Sequence, residues 1–121
     1  MWNFRKVGAW NRALDLTKVI YDFTRVFPSD EKYGLSSQLR RAAVSISSNI
    51  AEGCGRRTSK DFISFMYNAI GSLKEVESEL LVAEKLGYVE MKDVENLVNE
   101  LEEIGRMISG MINREKERGI K

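Results

Sequence analysis

Histidine is missing from this chain, and cysteine and proline occur once each. Without an imidazole there is no Ser-His or Cys-His dyad, no imidazole general base, and no His-bearing zinc or di-iron site. The lone cysteine, Cys54, has no internal partner for a disulfide, which points to a reducing compartment. No stretch reaches the eighteen or more apolar residues of a membrane span. Arg5, Lys6, Arg12 and Asp15 interrupt the first fifteen residues, so no apolar run there reads as a secretion signal. A cytoplasmic protein with no membrane partner is the expectation.

What is present suits a packed core. Of 121 residues, 43% are hydrophobic and 31% charged, enough apolar matter for one domain over 1–121 and too much for a disordered chain. The net charge is only +1, but it is unevenly spread. Residues 1–60 hold eleven Lys/Arg against five Asp/Glu, and residues 61–121 hold eight against thirteen. Opposite halves of this kind either pack on each other or leave the first half free for an anionic partner.

Apolar residues recur at steps of three and four throughout. Ala13, Leu16, Ile20, Phe23 and Phe27 mark a first helix that Pro28 ends, with Ser29 a candidate cap for the next. Leu35, Leu39, Ala42, Ala43, Ile46 and Ile50 mark a second, closed by Gly53 and Gly55. A third starts at Thr58-Ser59-Lys60-Asp61 and carries Phe62, Phe65, Met66, Ala69, Leu73, Val76, Leu80 and Ala83 up to Gly87. Val94, Leu97, Leu101, Ile104, Ile108 and Met111 mark the fourth. The pattern predicts helices over about 9–27, 31–53, 59–86 and 92–116. With short connections they pack most simply as an all-α, antiparallel up-down-up-down four-helix bundle.

The second helix departs from a plain bundle helix. Opposite its core stripe, at 100° per residue, lie Ser37, Arg41, Ser45, Ser48 and Glu52. A solvated face normally collects long charged side chains, whereas this one is mostly serine, a mediocre helix former. Small residues at this spacing admit another helix closely, so these five are candidates for a homo-oligomer interface. The alternative lodges the serines among the chain's own helices, bonded to backbone carbonyls. Gly71-Ser72, inside the third helix, reads as a close helix crossing, and Asn49 as a register-setting polar residue.

No catalytic residue, metal site or cofactor is expected. Cys54 sits near Arg56 and Arg57, which would lower its pKa, but it lies at a helix end whose dipole opposes an anion. The glutamates of the second half read as solvated faces. The basic residues Arg40, Arg41, Arg56, Arg57 and Lys60 are candidates for phosphate contact, with Arg5, Lys6 and Arg12 as a further rim and Trp2 and Phe4 as stacking platforms or end plugs.

The run Tyr33-Gly34-Leu35 through Ala51-Glu52-Gly53, with Trp10, Ala13, Phe27-Pro28, Lys60-Asp61-Phe62, Gly71-Ser72-Leu73 and Leu86-Gly87-Tyr88, resembles the four-helix-bundle proteins encoded in intervening sequences of bacterial 23S rRNA genes. The resemblance covers nearly the whole chain. It implies an antiparallel four-helix bundle and ring-forming relatives, with a pentamer as the expected homo-oligomer. It extends to the accessory variability determinant of diversity-generating retroelements, a bundle that assists a reverse transcriptase and its RNA. The combined expectation is a non-enzymatic, self-associating, RNA- or ribonucleoprotein-associated protein, with a protein-interaction scaffold such as a reverse transcriptase accessory protein as the alternative.

Overall fold

The computed structural model describes residues 2–120, with side chains through Arg118. Its four long helices are α1 (Gly8–Thr24), α2 (Leu35–Cys54), α3 (Ser59–Lys85) and α4 (Met91–Ile120). Short 3-10 turns at Phe4–Lys6 and Ser29–Glu31 precede α1 and α2. The described residues contain no strand.

The apolar stripes read from the sequence make the core. Every residue named for them is buried except Phe23 and Phe65, which are half-buried against it. Side-chain contacts set the helix directions. At one end Trp2, ahead of α1, stacks on Phe62 at the start of α3 and bonds to Glu115 near the end of α4. At the other end Phe27 and Glu31, between α1 and α2, touch Tyr88, which follows α3. Successive helices therefore run in alternating directions, and α4 packs on α1 as well as on α3.

Two boundaries move from the expected positions, each for a local reason. The first helix stops at Thr24 rather than near 27, because the proline after Phe27 disfavours helical backbone there and Phe27 N–H bonds back to the Thr24 carbonyl in a tighter turn. The second starts at Leu35 rather than near 31. Ser29–Glu31 forms its own turn, and the carboxylate of Glu31, not the hydroxyl of Ser29, accepts the Leu35 amide at 3.1 Å. The start of α3 follows the sequence closely, with Thr58 Oγ1 accepting the Asp61 amide at 3.1 Å. Gly87 ends α3 at φ +80°, a left-handed conformation glycine adopts freely, and lets Tyr88 N–H reach the Ala83 carbonyl.

The seam between α2 and α3 is polar and tight. Ser45 and Ser72 share a hydrogen bond of 2.8 Å, and Asn49 donates to both the hydroxyl and the carbonyl of Ser45. Ser45 is thus half-buried against α3 and leaves the outward face on which the helical wheel put it. Its neighbours on that wheel, Arg41, Ser48 and Glu52, are exposed, and Ser37 is half-exposed. The close approach lies at Gly53, where an added Cβ would stand 2.6 Å from Met66 Cε and 2.9 Å from Phe65 Cβ. Gly71 is not a crossing point, since nothing lies within 4 Å of the same position there.

Candidate nucleic-acid interface

Arg56 and Arg57 follow α2, and Lys60 stands in the first turn of α3. The chain must turn sharply here, so three cations crowd one connection. The Phe4–Lys6 turn brings Arg5 and Lys6 to the same end of the bundle, held there by Trp2. The last turns of α4 add Arg114, Lys116 and Arg118. Eight cations from three segments thus gather at one end.

Their charge is mostly uncompensated. Arg56 lies 3.6 Å from Glu52 and stacks over Phe65 with 4.6 Å to the ring centroid. Arg5, Lys6, Arg57, Lys60 and Arg114 make no ion pair among the described residues, and Arg114 lies over the Trp2 ring. Glu115, the buried carboxylate of this end, is consumed internally. Trp2 Nε1–H and the Ser59 hydroxyl donate to it at 2.9 and 2.8 Å, and Arg118 reaches it at 3.1 Å. Burial alone would raise its pKa, yet the bonds from Ser59 and Trp2 and the Arg118 charge outweigh burial and hold it below the usual range.

A cleft of about 210 Å³ opens between Trp2, Cys54, Arg56, Arg57 and Arg118. Beside it, Ser59 and Lys60 present first-turn amides with no acceptor inside the helix, which adds partial positive charge. This end can hold phosphate groups. Cys54 is buried there, and burial pushes its thiol up to about 11, against the lowering that Arg56 and Arg57 were expected to cause.

The five basic residues named from the sequence do not form one patch. Arg40 and Arg41 lie near the start of α2, about 22 Å along the axis from Arg56. Arg40 donates to the Thr24 hydroxyl and the Tyr21 carbonyl, and Arg41 to the Ser37 hydroxyl. Arg12 is no part of a basic rim, because its guanidinium is spent on Glu100 at 2.6 Å with Glu103 nearby. Those are the ion pairs that join the basic and acidic halves among the described residues. Trp2 is an end plug rather than a free platform, stacked on Phe62 at 5.7 Å, and Phe4 packs edge-on against Trp10. Sequence reasoning missed Arg114 and Arg118, which α4 carries back beside Trp2.

Two further features bear on what the chain can hold. Among the described residues no group of three or more His, Cys, Asp or Glu side chains is placed to bind a metal ion, and no helix is long and apolar enough to cross a membrane.

Comparison with known proteins places this geometry in context. A family model described as 23S rRNA-intervening sequence protein matches residues 5–110, from the first turn well into α4. Among solved structures, a protein of unknown function from the S23 ribosomal protein family of Bacteroides thetaiotaomicron superposes with a TM-score of 0.76. The two are 23% identical, and the match covers 86% of this chain and 97% of that one. That likeness supports the bundle fold alone. Comparison with curated proteins yields no match. With the family pattern spanning most of its length, the chain belongs to the 23S rRNA-intervening sequence protein family.

Proposed function

We propose that this protein binds RNA through the phosphate backbone, using the end of the bundle that carries Arg56, Arg57 and Lys60. One observation supports the reading: cations from three separate segments converge there while the buried carboxylate among them is already saturated by internal donors. The family name ties such proteins to 23S rRNA, which makes structured RNA the first polyanion to test.

Binding of this kind weakens linearly in log affinity against log salt, with a slope of roughly 0.7–0.9 per neutralised phosphate. Replacing Arg56→Glu together with Arg57→Glu should reduce that slope by about 1.5–2. Absence of RNA binding at low salt, or a slope the double variant does not change, would overturn the reading. A protein that co-purifies with a partner and binds naked RNA poorly would instead be a scaffold, as a reverse transcriptase accessory protein is.

Self-association is a second, compatible reading, and a specific feature favours it. Tyr21 touches Arg40 across the α1–α2 groove, and Leu14 lies two turns away on the same face of α1. With Val44 on α2 they leave three large apolar side chains exposed beside Ser37 and Ser48. A second copy packed there would cover them, and a pentamer would repeat the basic end five times around an axis. Sedimentation at micromolar concentration tests this. A monomer would refute it, and Ser48→Arg should dissociate the assembly.

A further inference from the structure

At the end of the bundle opposite the basic cluster, the last turn of α1 and the first turns of α2 border an open cleft of about 780 Å³. That volume is the size of a small-molecule site. Four cations line it, namely Arg25, Lys32, Arg40 and Arg41, and no carboxylate does. Arg25 is paired with Asp22, outside the lining, at 3.5 Å. The other three make no ion pair among the described residues.

Neutral groups hold one of these charges in place and contact a second. Arg40 donates Nε–H to Thr24 Oγ1 at 2.8 Å and an Nη2–H to the Tyr21 carbonyl at 3.2 Å, and its guanidinium lies 4.6 Å above the Tyr21 ring. Arg41 is tethered to Ser37 Oγ at 3.2 Å. A guanidinium fixed by hydroxyl, carbonyl and ring keeps its full charge while losing its conformational freedom. That is the condition for strong anion binding. Tyr33 stands at the rim with 88% of its surface exposed and Lys32 Nζ 5.5 Å from its ring centre. A flat, solvent-exposed ring beside a cationic cleft suits a planar group attached to the anion. Helices and a 3-10 turn make the walls, so no strand edge is open to an extended acidic peptide.

We infer that this cleft is a nucleotide site, separate from the basic end, in which Arg40, Arg41 and Lys32 take the phosphate and Tyr33 stacks the base. The same chemistry is offered by a free nucleoside monophosphate and by an unpaired nucleotide within an RNA strand. The cleft shares Tyr21, Ser37, Arg40 and Val44 with the face on which a second copy would pack, so self-association there and nucleotide binding would compete.

Titration of the 15N-labelled full chain with AMP, tetra-adenylate and inorganic phosphate, followed by amide NMR, tests the inference. AMP should move the amides of Lys32, Tyr33, Ser37 and Arg41 saturably, with a dissociation constant below about 1 mM. Tyr33→Ala, which touches no core residue, should weaken AMP about tenfold and leave phosphate binding unchanged. Arg41→Gln should weaken AMP and phosphate alike. Tetra-adenylate binding more tightly than AMP identifies a strand nucleotide as the occupant, and the reverse identifies a free one. Either order sustains the site. Because Arg56→Glu with Arg57→Glu leaves the cleft intact, AMP binding should survive it even where RNA binding fails. No saturable shift up to about 10 mM AMP, shifts confined to the Arg57 end, insensitivity to Tyr33→Ala, or an oligo-glutamate peptide binding as well as AMP would each overturn the assignment.

Discussion

Ser45 and Ser72 share a 2.8 Å hydrogen bond across the α2–α3 seam, and Asn49 completes it from one turn further along α2. These short side chains satisfy one another, which lets the two helix backbones draw together without leaving a buried polar group unpaired. The approach is tight at Gly53, where the Phe62 carbonyl lies 3.4 Å from the position of an added Cβ.

Two glycine substitutions should therefore move stability in opposite directions. Gly53→Ala must displace Phe65 and Met66, and overpacking outweighs the helical preference of alanine, for a net loss of about 1–2 kcal/mol. Gly71→Ala enters open space on an exposed helical position and should gain up to about 1 kcal/mol. Urea unfolding of both variants measures the pair. A neutral Gly53→Ala would show that the seam is looser than drawn.

Glu79 is only 9% exposed, and its Oε1 has no hydrogen-bond partner. Burial, helped by the charge of Glu75 one turn away, pushes its carboxyl up to about 7. The folded state keeps this proton between pH 4.5 and 7 while the unfolded chain releases it, so this group's contribution to stability falls as pH rises through that window. Glu79→Gln should remove the fall, making the variant more stable than the parent by about 1–3 kcal/mol at pH 8 and nearly equal to it at pH 5. Thermal unfolding at the two pH values reads the difference. Parallel pH profiles would count against it.

Two arginines of the basic first half should differ in function. Arg12 is committed to Glu100 and Glu103, whereas Arg57 has no ion-pair partner among the described residues. Arg57→Gln should lower the salt slope of RNA binding by about 1, and Arg12→Gln should leave it unchanged. Equal effects from both would mean that net charge, rather than the basic end, governs binding.

The Cys54 thiol should resist alkylation in the folded protein. It is buried with its pKa pushed to about 11, so the thiolate fraction at pH 8 is near one in a thousand. Iodoacetamide should label the chain only after denaturation, as mass spectrometry would show. Rapid native labelling would mean that the end carrying Trp2 opens readily.

Much of the bundle was legible in the sequence because core residues repeat at the helical period. Nearly every position in the four stripes is buried, and Thr58 caps α3 as its residue type and place indicate. The start of α2 was not legible. It depends on Glu31, a residue with no capping signature, folding back onto the Leu35 amide while Tyr88, just after α3, donates to its other oxygen. The helical wheel also misplaced Ser45, since a wheel knows the direction of the core but not which flank a neighbouring helix will cover.

The candidate site divides the same way. Arg56, Arg57 and Lys60 are neighbours along the chain, so their clustering was visible at once. That Arg5, Lys6, Arg114 and Arg118 join them depends on contacts between distant residues, such as Trp2 with Glu115, and that Arg12 and Arg40 do not depends on their pairing with Glu100 and Thr24 on other parts of the fold. Periodicity is a local property, and it determined helix number, order and inward faces. Which charges are neutralised and which stay free is decided by long-range pairing, because the field at any point sums over groups that only the folded chain brings near.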